Sequence, residues 1–258
     1  MTVTLRFEDC PVAELRRYTL HPRRLPDLLA VFERHLIQPQ EDSGMTVGGT
    51  FADEDDPDSF TWLRGFADHR ARVRALETFY GGPVWGRHCD AANATMVDSD
   101  DVLVLRPTHP AHVPAPAVPR GGPNDRPRSE RVLVGTYGLA ADADTVEDWF
   151  ATTGVPAFED VLGTRVTAWR TDPTPNGFPR LPVRHERALA FLAVFPDGDI
   201  RDGAAARLAA ADVGRELDQR TSWRRTFRLA PTVRSAHPAV EPPGARAAIR
   251  NTAPPAAG

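Results

Sequence analysis

Residues 12–38 read VAELRRYTLHPRRLPDLLAVFERHLIQ, and this stretch decides the fold. Over residues 12–20 the side chains alternate between apolar and polar and then meet His-Pro, which predicts a strand that ends there. From residue 23 to residue 38 the apolar side chains recur at helical spacing, and Pro26 is tolerated because it falls in the first turn. The apolar members of this helix are Leu25, Leu28, Leu29, Phe32 and Leu36. The stretch therefore predicts a strand followed by an amphipathic helix.

The residues that follow extend this start into a βαββαβ unit. Residues 45–52 and 59–67 favour two strands, and the acidic turn DEDDPD between them predicts a hairpin. A second helix is marked by Val73, Leu76 and Tyr80. We expect it to stop at Gly81, where Gly-Gly-Pro follows, and we expect residues 101–106 (DVLVLR) to form the closing strand.

The same order of elements returns after a proline-rich segment. Leu-Arg-Pro-Thr at residues 105–108 recurs as Leu-Ala-Pro-Thr at residues 229–232, and Tyr18 recurs as Tyr137. A third match pairs Leu63, Phe66 and Asp68 with Leu192, Phe195 and Asp197. Each match is short, but together and in the same order they predict an internal repeat.

The chain therefore divides into four predicted segments. We expect a first ferredoxin-like domain at 1–108, a proline-rich linker at 109–130, a second and degenerate ferredoxin-like domain at 131–232, and a disordered tail at 233–258. A four-stranded sheet with two helices on one face needs a cover for its other face, and two copies in one chain can cover each other. The predicted fold class is α+β, with two tandem ferredoxin-like βαββαβ repeats that form a pseudo-dimer.

Composition excludes several classes of function. The formal charge of −4 and the pI near 6.1 give no general attraction to nucleic acid, which we do not expect as a partner. All 31 basic side chains are arginine, so no Schiff-base or P-loop lysine exists. Cys10 and Cys89 are too few for a disulfide framework, and no signal segment, membrane span or metal-ligand spacing is evident. We expect a cytoplasmic protein without a membrane partner or a metal.

Three segments of the first half resemble the NIPSNAP family. They are ELRRYTL with the leucine-rich helix after it (residues 14–36), WLRGF (62–66) and TFYGGPVWGRH (78–88). The resemblance covers about residues 12–108 and is weaker over 131–232. It implies the dimeric α+β barrel architecture, a superfamily that includes cofactor-free oxygenases, haem-degrading monooxygenases and muconolactone-type isomerases. Such a resemblance narrows the geometry of a pocket but not the reaction.

Two predicted strand faces supply candidate site residues. By the two-residue period of a strand, one face carries Glu14, Arg16 and Tyr18, and the other carries Trp62, Arg64 and Phe66. Aromatic walls with two guanidinium donors suit an anionic or carbonyl-bearing ligand. The alternative is that Glu14 forms a structural ion pair with Arg16 or Arg64 in the interface between the repeats.

Histidines supply the candidate proton carriers. His88 lies near the predicted end of the second helix, with Phe79, Tyr80 and Trp85 before it. Because the resemblance extends to haem-degrading enzymes with an axial histidine in this region, His88 is a candidate haem ligand, and otherwise a general base or a helix-terminus residue. His35, at the border of the apolar stripe of the first helix, is the second candidate for proton transfer.

The resulting hypothesis is a cofactor-independent enzyme of bacterial specialised metabolism that oxygenates, isomerises or cyclises an apolar small molecule in the first repeat. We assign catalysis to Arg16, Tyr18, Arg64, His35 and His88, and substrate binding to Glu14, Trp62, Phe66, Phe79, Tyr80 and Trp85. The alternatives are a non-catalytic ligand-binding or assembly protein and a haem protein. An enzyme should hold a cavity of several hundred Å³ lined by these residues, whereas an assembly protein should fill it. Further association into a homodimer is left open.

Overall fold

The computed structural model describes residues 5–140 and 142–245, and its strands and helices follow the order predicted for two repeats. The strands are β1 Val12–Leu20, β2 Thr46–Asp53, β3 Ser59–Phe66, β4 Met96–Pro107, β5 Arg131–Leu139, β6 Val166–Thr171, β7 Ala188–Phe195 and β8 Thr221–Pro231. The helices are α1 Leu25–Val31, α2 Ile37–Asp42, α3 His69–Tyr80, α4 Pro83–Asn93, α5 Ala143–Trp149, α6 Val155–Leu162, α7 Gly198–Ala210 and α8 Asp212–Gln219. A short 3-10 turn, Phe7–Asp9, precedes β1.

The eight strands form one closed barrel with the order β1-β3-β2-β8-β5-β7-β6-β4. Within it the first repeat contributes β4-β1-β3-β2 and the second contributes β8-β5-β7-β6, which is the same order of elements twice. The two sheets meet at two antiparallel seams, β2 with β8 and β4 with β6. The predicted α+β pseudo-dimer of ferredoxin-like repeats is confirmed, and closure leaves neither sheet with a free edge.

Each sheet buries one face inside the barrel and the other under its own helices. Inside the barrel the core combines residues of both repeats, such as Leu15 and Leu63 with Val134 and Leu192. Outside it, one apolar cluster lies between the first sheet and its helices, and a second lies between the second sheet and its helices. The face that carries Glu14 therefore lies under the helices of the first repeat, and not between the repeats as the structural alternative supposed.

Two details of the first repeat differ from the sequence prediction. The first helix continues past residue 38, because the π-helical turn Phe32–Leu36 joins α1 to α2. Gly-Gly-Pro at residues 81–83 ends α3 but also starts α4, in which Gly82 is the extended N-cap and Pro83 the first residue. The expectation that His88 lies near the end of the second helix is therefore wrong, since His88 lies inside this additional helix.

The linker and the start of the tail pack against each other and the barrel. Ala117 and Pro238 form an antiparallel bridge, and the backbone N–H of Val118 donates to the carbonyl of His237 at 2.9 Å. Ser235 and His237 are almost fully buried. We expected disorder from residue 233, but 233–245 are placed by these contacts; residues 246–258 lie outside the described residues.

Within the described ranges, no helix is long and apolar enough to cross a membrane. Within the same ranges, no group of histidine, cysteine and carboxylate side chains has the arrangement of a metal site.

Candidate functional site

Glu14 is held by three arginines in the space between the first sheet and its helices. Arg16 donates from Nη1 to Oε2 of Glu14 at 2.7 Å, and Arg64 donates from Nε to the same oxygen at 2.8 Å. Arg72 donates from Nε to Oε1 at 2.6 Å. All four side chains are at most 1% exposed. We call these four residues the Glu14 cluster.

Local structure explains why these side chains meet. Glu14 on β1 lies directly opposite Arg64 on β3, and Arg16 shares the face because it is two residues further along the strand. Arg72 comes from the first turn of α3, which begins where the carboxylate of Asp68 accepts the N–H of Ala71. Strand register and one helix start therefore place three positive charges around one carboxylate.

The charges of the cluster do not cancel. Burial alone would raise the pKa of Glu14, but the charges of Arg64, Arg16 and Arg72 hold this pKa well below its ordinary value of 4.5. Glu14 is therefore ionised at neutral pH. Among the described residues, the ion pairs of the three arginines include no carboxylate besides Glu14. Three positive charges against one negative charge leave a buried net charge of +2.

Hydroxyl and aromatic groups complete the surroundings. Nε of Arg16 donates to the hydroxyl of Tyr18 at 3.1 Å, and Nη1 of Arg64 lies 3.4 Å from the hydroxyl of Tyr80. Burial raises the pKa of Tyr18, so its phenol stays protonated and can donate a hydrogen bond. The guanidinium carbons of Arg16 and Arg64 lie 5.6 Å and 5.2 Å from the ring of Trp62.

A loop from the second repeat covers the cluster. This covering loop, residues 172–187, joins β6 to β7. Nη2 of Arg72 donates to Oδ1 of Asn176 in the loop at 3.0 Å, and the ring of Phe178 lies 6.0 Å from that of Tyr80. The ring centroid of Trp85 lies 4.9 Å from that of Tyr80. Tyr80, Trp85 and Asn176 are half-buried, so the side chains around the cluster are partly in contact with solvent.

The second repeat shows what the fold needs at the same positions. In β5 and β7, Leu133 lies opposite Ala193, just as Glu14 lies opposite Arg64. The counterpart of Arg16 is Gly135, where an added Cβ would lie 2.2 Å from the ring of Phe191. The counterpart of Arg72, at the same place after an aspartate N-cap, is Arg201, which pairs instead with Glu54 and Asp202. The barrel therefore forms equally with apolar residues at the strand positions.

The structure brings most of the predicted site residues together. Arg64 also packs over Phe66, and Phe79 lies 5.7 Å from Trp85, so the predicted aromatic set belongs to one cluster of side chains. His35 and His88 are also in contact, with ring centroids 4.2 Å apart and an interplanar angle of 9°. Neither histidine takes part in the hydrogen bonds or ion pairs of the Glu14 cluster described above.

The surroundings of His88 do not fit a haem. A haem needs an apolar cleft for its macrocycle beside the axial ligand. Here the ring of His35 stacks on His88, and the space between helices and sheet is filled by rings such as Phe32, which lies 4.9 Å from Trp62. We therefore assign no chemistry to a haem.

Three cavities have volumes of about 440, 560 and 670 Å³, and none of them has a residue of the Glu14 cluster in its lining. One of about 440 Å³ lies at the β4–β6 seam, and one of about 670 Å³ is lined by Val12, His69 and Arg106 among others. The lining of neither includes Glu14, Arg16 or Arg64. Side chains fill the space at the predicted site, which is the arrangement that we associated with an assembly protein.

Sequence reasoning missed four contributors to the site. Arg72 could have been found, because it lies on the buried stripe of α3 with Ala75, Leu76 and Phe79 at helical spacing. Asn176 and Phe178 could not, since their loop lies far away in sequence and no periodicity indicates where it packs. Gln40, whose Oε1 lies 3.4 Å from Nη1 of Arg64, belongs to α2, which the prediction ended too early.

The closed barrel of two like sheets, each with its helices outside, defines a fused dimeric α+β barrel protein. The NIPSNAP family model matches residues 13–111 of the chain. The predicted resemblance is confirmed over this range. No curated protein matches the chain.

Several solved structures are similar to this protein over most of the chain, but their sequence identity to it is low. A putative monooxygenase from Fusobacterium nucleatum has a TM-score of 0.58 at 9% identity and covers 90% of this chain and 98% of its own. One from Lactobacillus acidophilus has a TM-score of 0.52 at 13% identity, with 90% and 99% covered. An anthrone oxidase-like protein has a TM-score of 0.53 at 11% identity, with 90% and 96% covered. At these identities the likeness shows the fold alone.

Proposed function

We propose that the first repeat is the site of a cofactor-independent small-molecule enzyme whose substrate carries or forms an organic anion. The observation that supports this is the buried net charge of +2 in the Glu14 cluster, at positions where the second repeat has Leu133, Gly135 and Ala193. Burying charge without a partner costs several kcal/mol. Since the second repeat folds without this cost, a ligand of opposite charge is a reason for the cluster to exist.

The proposed chemistry follows from the protonation states. Arg16 and Arg64 would bind the oxygen of an enolate or phenolate, and Tyr18 would donate a hydrogen bond to it. Glu14, with its lowered pKa, is a weak base and serves to hold the guanidinium groups. The substrate must therefore lose a proton readily, as an enolisable ketone or a phenol does. In this proposal His35 or His88 carries that proton to solvent.

The names of the structural relatives suggest which reaction to test first. They include putative monooxygenases and an anthrone oxidase-like protein. Oxidation of anthrone by O2 gives a quinone and releases water, and it passes through the kind of anion that the Glu14 cluster would stabilise. Isomerisation and cyclisation use similar enolates without O2, so they are the next reaction types to test.

The experiment compares equivalent arginines of the two repeats. Purified protein is incubated with anthrone and other enolisable ketones in air and under argon, and O2 uptake and product masses are measured. We expect Arg72→Met to lose turnover while Arg201→Met, its counterpart in the second repeat, keeps it. Equal activity of the two variants, with both folded by circular dichroism, would remove the Glu14 cluster from the reaction.

A second candidate function is non-catalytic ligand binding, since the buried net charge of +2 calls for an anion whether or not that anion then reacts. Trp62 and Arg16 are 1% exposed, so any ligand requires Tyr80 and the covering loop to move. Native mass spectrometry of freshly purified protein detects an organic anion that stays bound. After the anion is removed and added back, tryptophan fluorescence measures its rebinding. Binding that Arg72→Met abolishes, without any product from the bound compound, would select this candidate over the enzyme.

The proposal also includes location and assembly. Both cysteines are free thiols, with Cys10 buried and Cys89 half-buried, which accords with a reducing cytoplasm. Fusion of two repeats already supplies the barrel that other members of the class build from two chains. Association of two whole chains stays a prediction, to be tested by light scattering.

A further inference from the structure

Two arginines oppose each other at the β4–β6 seam of the barrel. In this antiparallel pair, Arg106 of β4 lies directly opposite Arg170 of β6. Both are on the outer face, since their strand neighbours Leu105 and Trp169 belong to the barrel interior. Like charges at directly opposed positions destabilise a sheet. The repulsion between Arg106 and Arg170 therefore disfavours this seam unless another group offsets their charge.

The other seam shows that the fold does not require these arginines. At the β2–β8 seam the equivalent pair is Ala52 opposite Ala230. The equivalence follows from the flanking residues, because Pro107 and Pro231 each lie one position beyond, opposite Trp169 and Phe51. At this position of the seam, two alanines therefore lie opposite each other on one side of the barrel and two arginines on the other.

The two arginines of this seam differ in how far their charge is neutralised. Nη1 of Arg170 donates to Glu147 at 2.9 Å, and Arg187, which also bonds to Glu147, has Asp144 as a second carboxylate partner. Within the described part of the chain, Arg106 has no ion pair and no hydrogen bond from its guanidinium. The Nε atoms of both Arg106 and Arg170 are buried without a hydrogen-bond partner. Buried donors of this kind are costly unless an acceptor joins them.

Both arginines line the same cavity, which has a volume of about 440 Å³ and lies under the covering loop. The carboxylates in its wall already have partners. These pairs are Asp144 with Arg187, Glu147 with Arg170, Asp172 with His69 and Glu186 with Arg184. The guanidinium groups of Arg106 and Arg170 thus line a space large enough for a small molecule.

We propose that this seam cavity binds the carboxylate or phosphate group of a small polar molecule, with Arg106 and Arg170 as the donors. An anion in the cavity would accept hydrogen bonds from the Nη groups of the two side chains and offset the repulsion between them. This site is distinct from the Glu14 cluster, from which the covering loop separates it: Asn176 contacts Arg72 on one side, and Asp172 to Pro175 line the cavity on the other.

The test uses inorganic phosphate and citrate as probes, with isothermal titration calorimetry and thermal unfolding at constant ionic strength. Arg106→Gln is compared with Arg228→Gln, an arginine of the other seam that is already bonded to Asp55 at 2.9 Å. We expect Arg106→Gln to weaken binding of the better probe by at least about tenfold, or about 1.4 kcal/mol. We also expect this variant to be more stable than the wild type without anion, because it removes the opposed charge. Arg228→Gln should bind as the wild type does.

The two probes distinguish the two anion chemistries, since tighter binding of phosphate or of citrate identifies the group that the site prefers. The proposal is overturned if neither probe binds the wild type, or if sodium chloride at matched ionic strength raises the unfolding temperature equally. Unchanged affinity in Arg106→Gln would also overturn it. Neither arginine belongs to the Glu14 cluster, so failure here leaves the proposed enzyme untouched.

Discussion

Replacing Glu14 by glutamine should be among the most destabilising single changes in this protein. The two side chains have nearly the same shape, so the change removes one charge and little else. It leaves Arg16, Arg64 and Arg72 buried around a neutral amide, with a net charge of +3 in place of +2. Removing one partner of a buried ion pair costs about 3–5 kcal/mol, which is a large part of the roughly 5–15 kcal/mol that stabilises a typical domain.

Urea unfolding followed by circular dichroism measures the lost free energy of unfolding, and thermal unfolding gives a second measurement. At about 2–4 °C per kcal/mol for a protein of this size class, the unfolding temperature should fall by roughly 10 °C. The control is Glu216→Gln, which removes a partly exposed carboxylate from its helical i,i+4 pair with Arg220 and should cost about 0.3–0.5 kcal/mol.

The pH dependence gives an independent check. The pKa of Glu14 in the folded protein lies below its ordinary value of 4.5, so the ionised carboxylate stabilises the fold above pH 4.5. This contribution is lost as the pH falls below 4.5 towards the folded-state pKa. The difference in unfolding free energy between wild type and Glu14→Gln should therefore be constant near neutral pH and shrink in acid. A Glu14→Gln loss no greater than that of the control would refute the reasoning, since the arginines would then not depend on Glu14.

Three further changes test other parts of the structure. Burial lowers the pKa of His237 from 6.5 to about 4, so wild-type stability should fall by up to about 3 kcal/mol as the pH falls through this window, because the unfolded chain binds the proton first. His237→Leu should lose that part of the pH slope in urea unfolding. Phe178→Ala should uncover Tyr80 and its neighbour Trp85 and increase acrylamide quenching of tryptophan fluorescence, and an additional Trp85→Phe substitution should remove the increase. Gly121→Ala should cost about 1–3 kcal/mol, because its Cβ would lie 2.4 Å from a backbone oxygen of the tail, and proteolysis of the tail measures the loosening.

Local patterns predicted the architecture well because each depends on neighbours in sequence. The alternation in VAELRRYTL gave the bounds of β1, Val12–Leu20, and the acidic turn gave the hairpin of β2 and β3. Glycine and proline were less informative at residues 81–83. The same residues that end one helix start the next, and composition alone does not separate an end from a restart.

The site was harder to predict because its partners are distant in sequence. The strand period placed Glu14, Arg16 and Arg64 on faces that could meet, and the register confirmed the contact. The same period does not tell which face lies inside the barrel, and our structural alternative put the ion pair between the repeats. Proline content misled in the tail, because His237 and Ser235 are buried by contacts with the linker and barrel that no local pattern encodes.

The two departures from internal symmetry meet in one place, and this argues for one site per chain. The second repeat has the longer hairpin loop, residues 172–187, where the first has residues 54–58. The first repeat has the charged cluster, where the second has Leu133 opposite Ala193. If each difference were random drift after duplication, nothing would require the long loop to cover the charged side of the barrel. It does so through a hydrogen bond from Arg72 to Asn176. One repeat therefore supplies the charges, and the other supplies the loop that covers them. In a symmetric dimer of a single repeat, each chain would have to supply both.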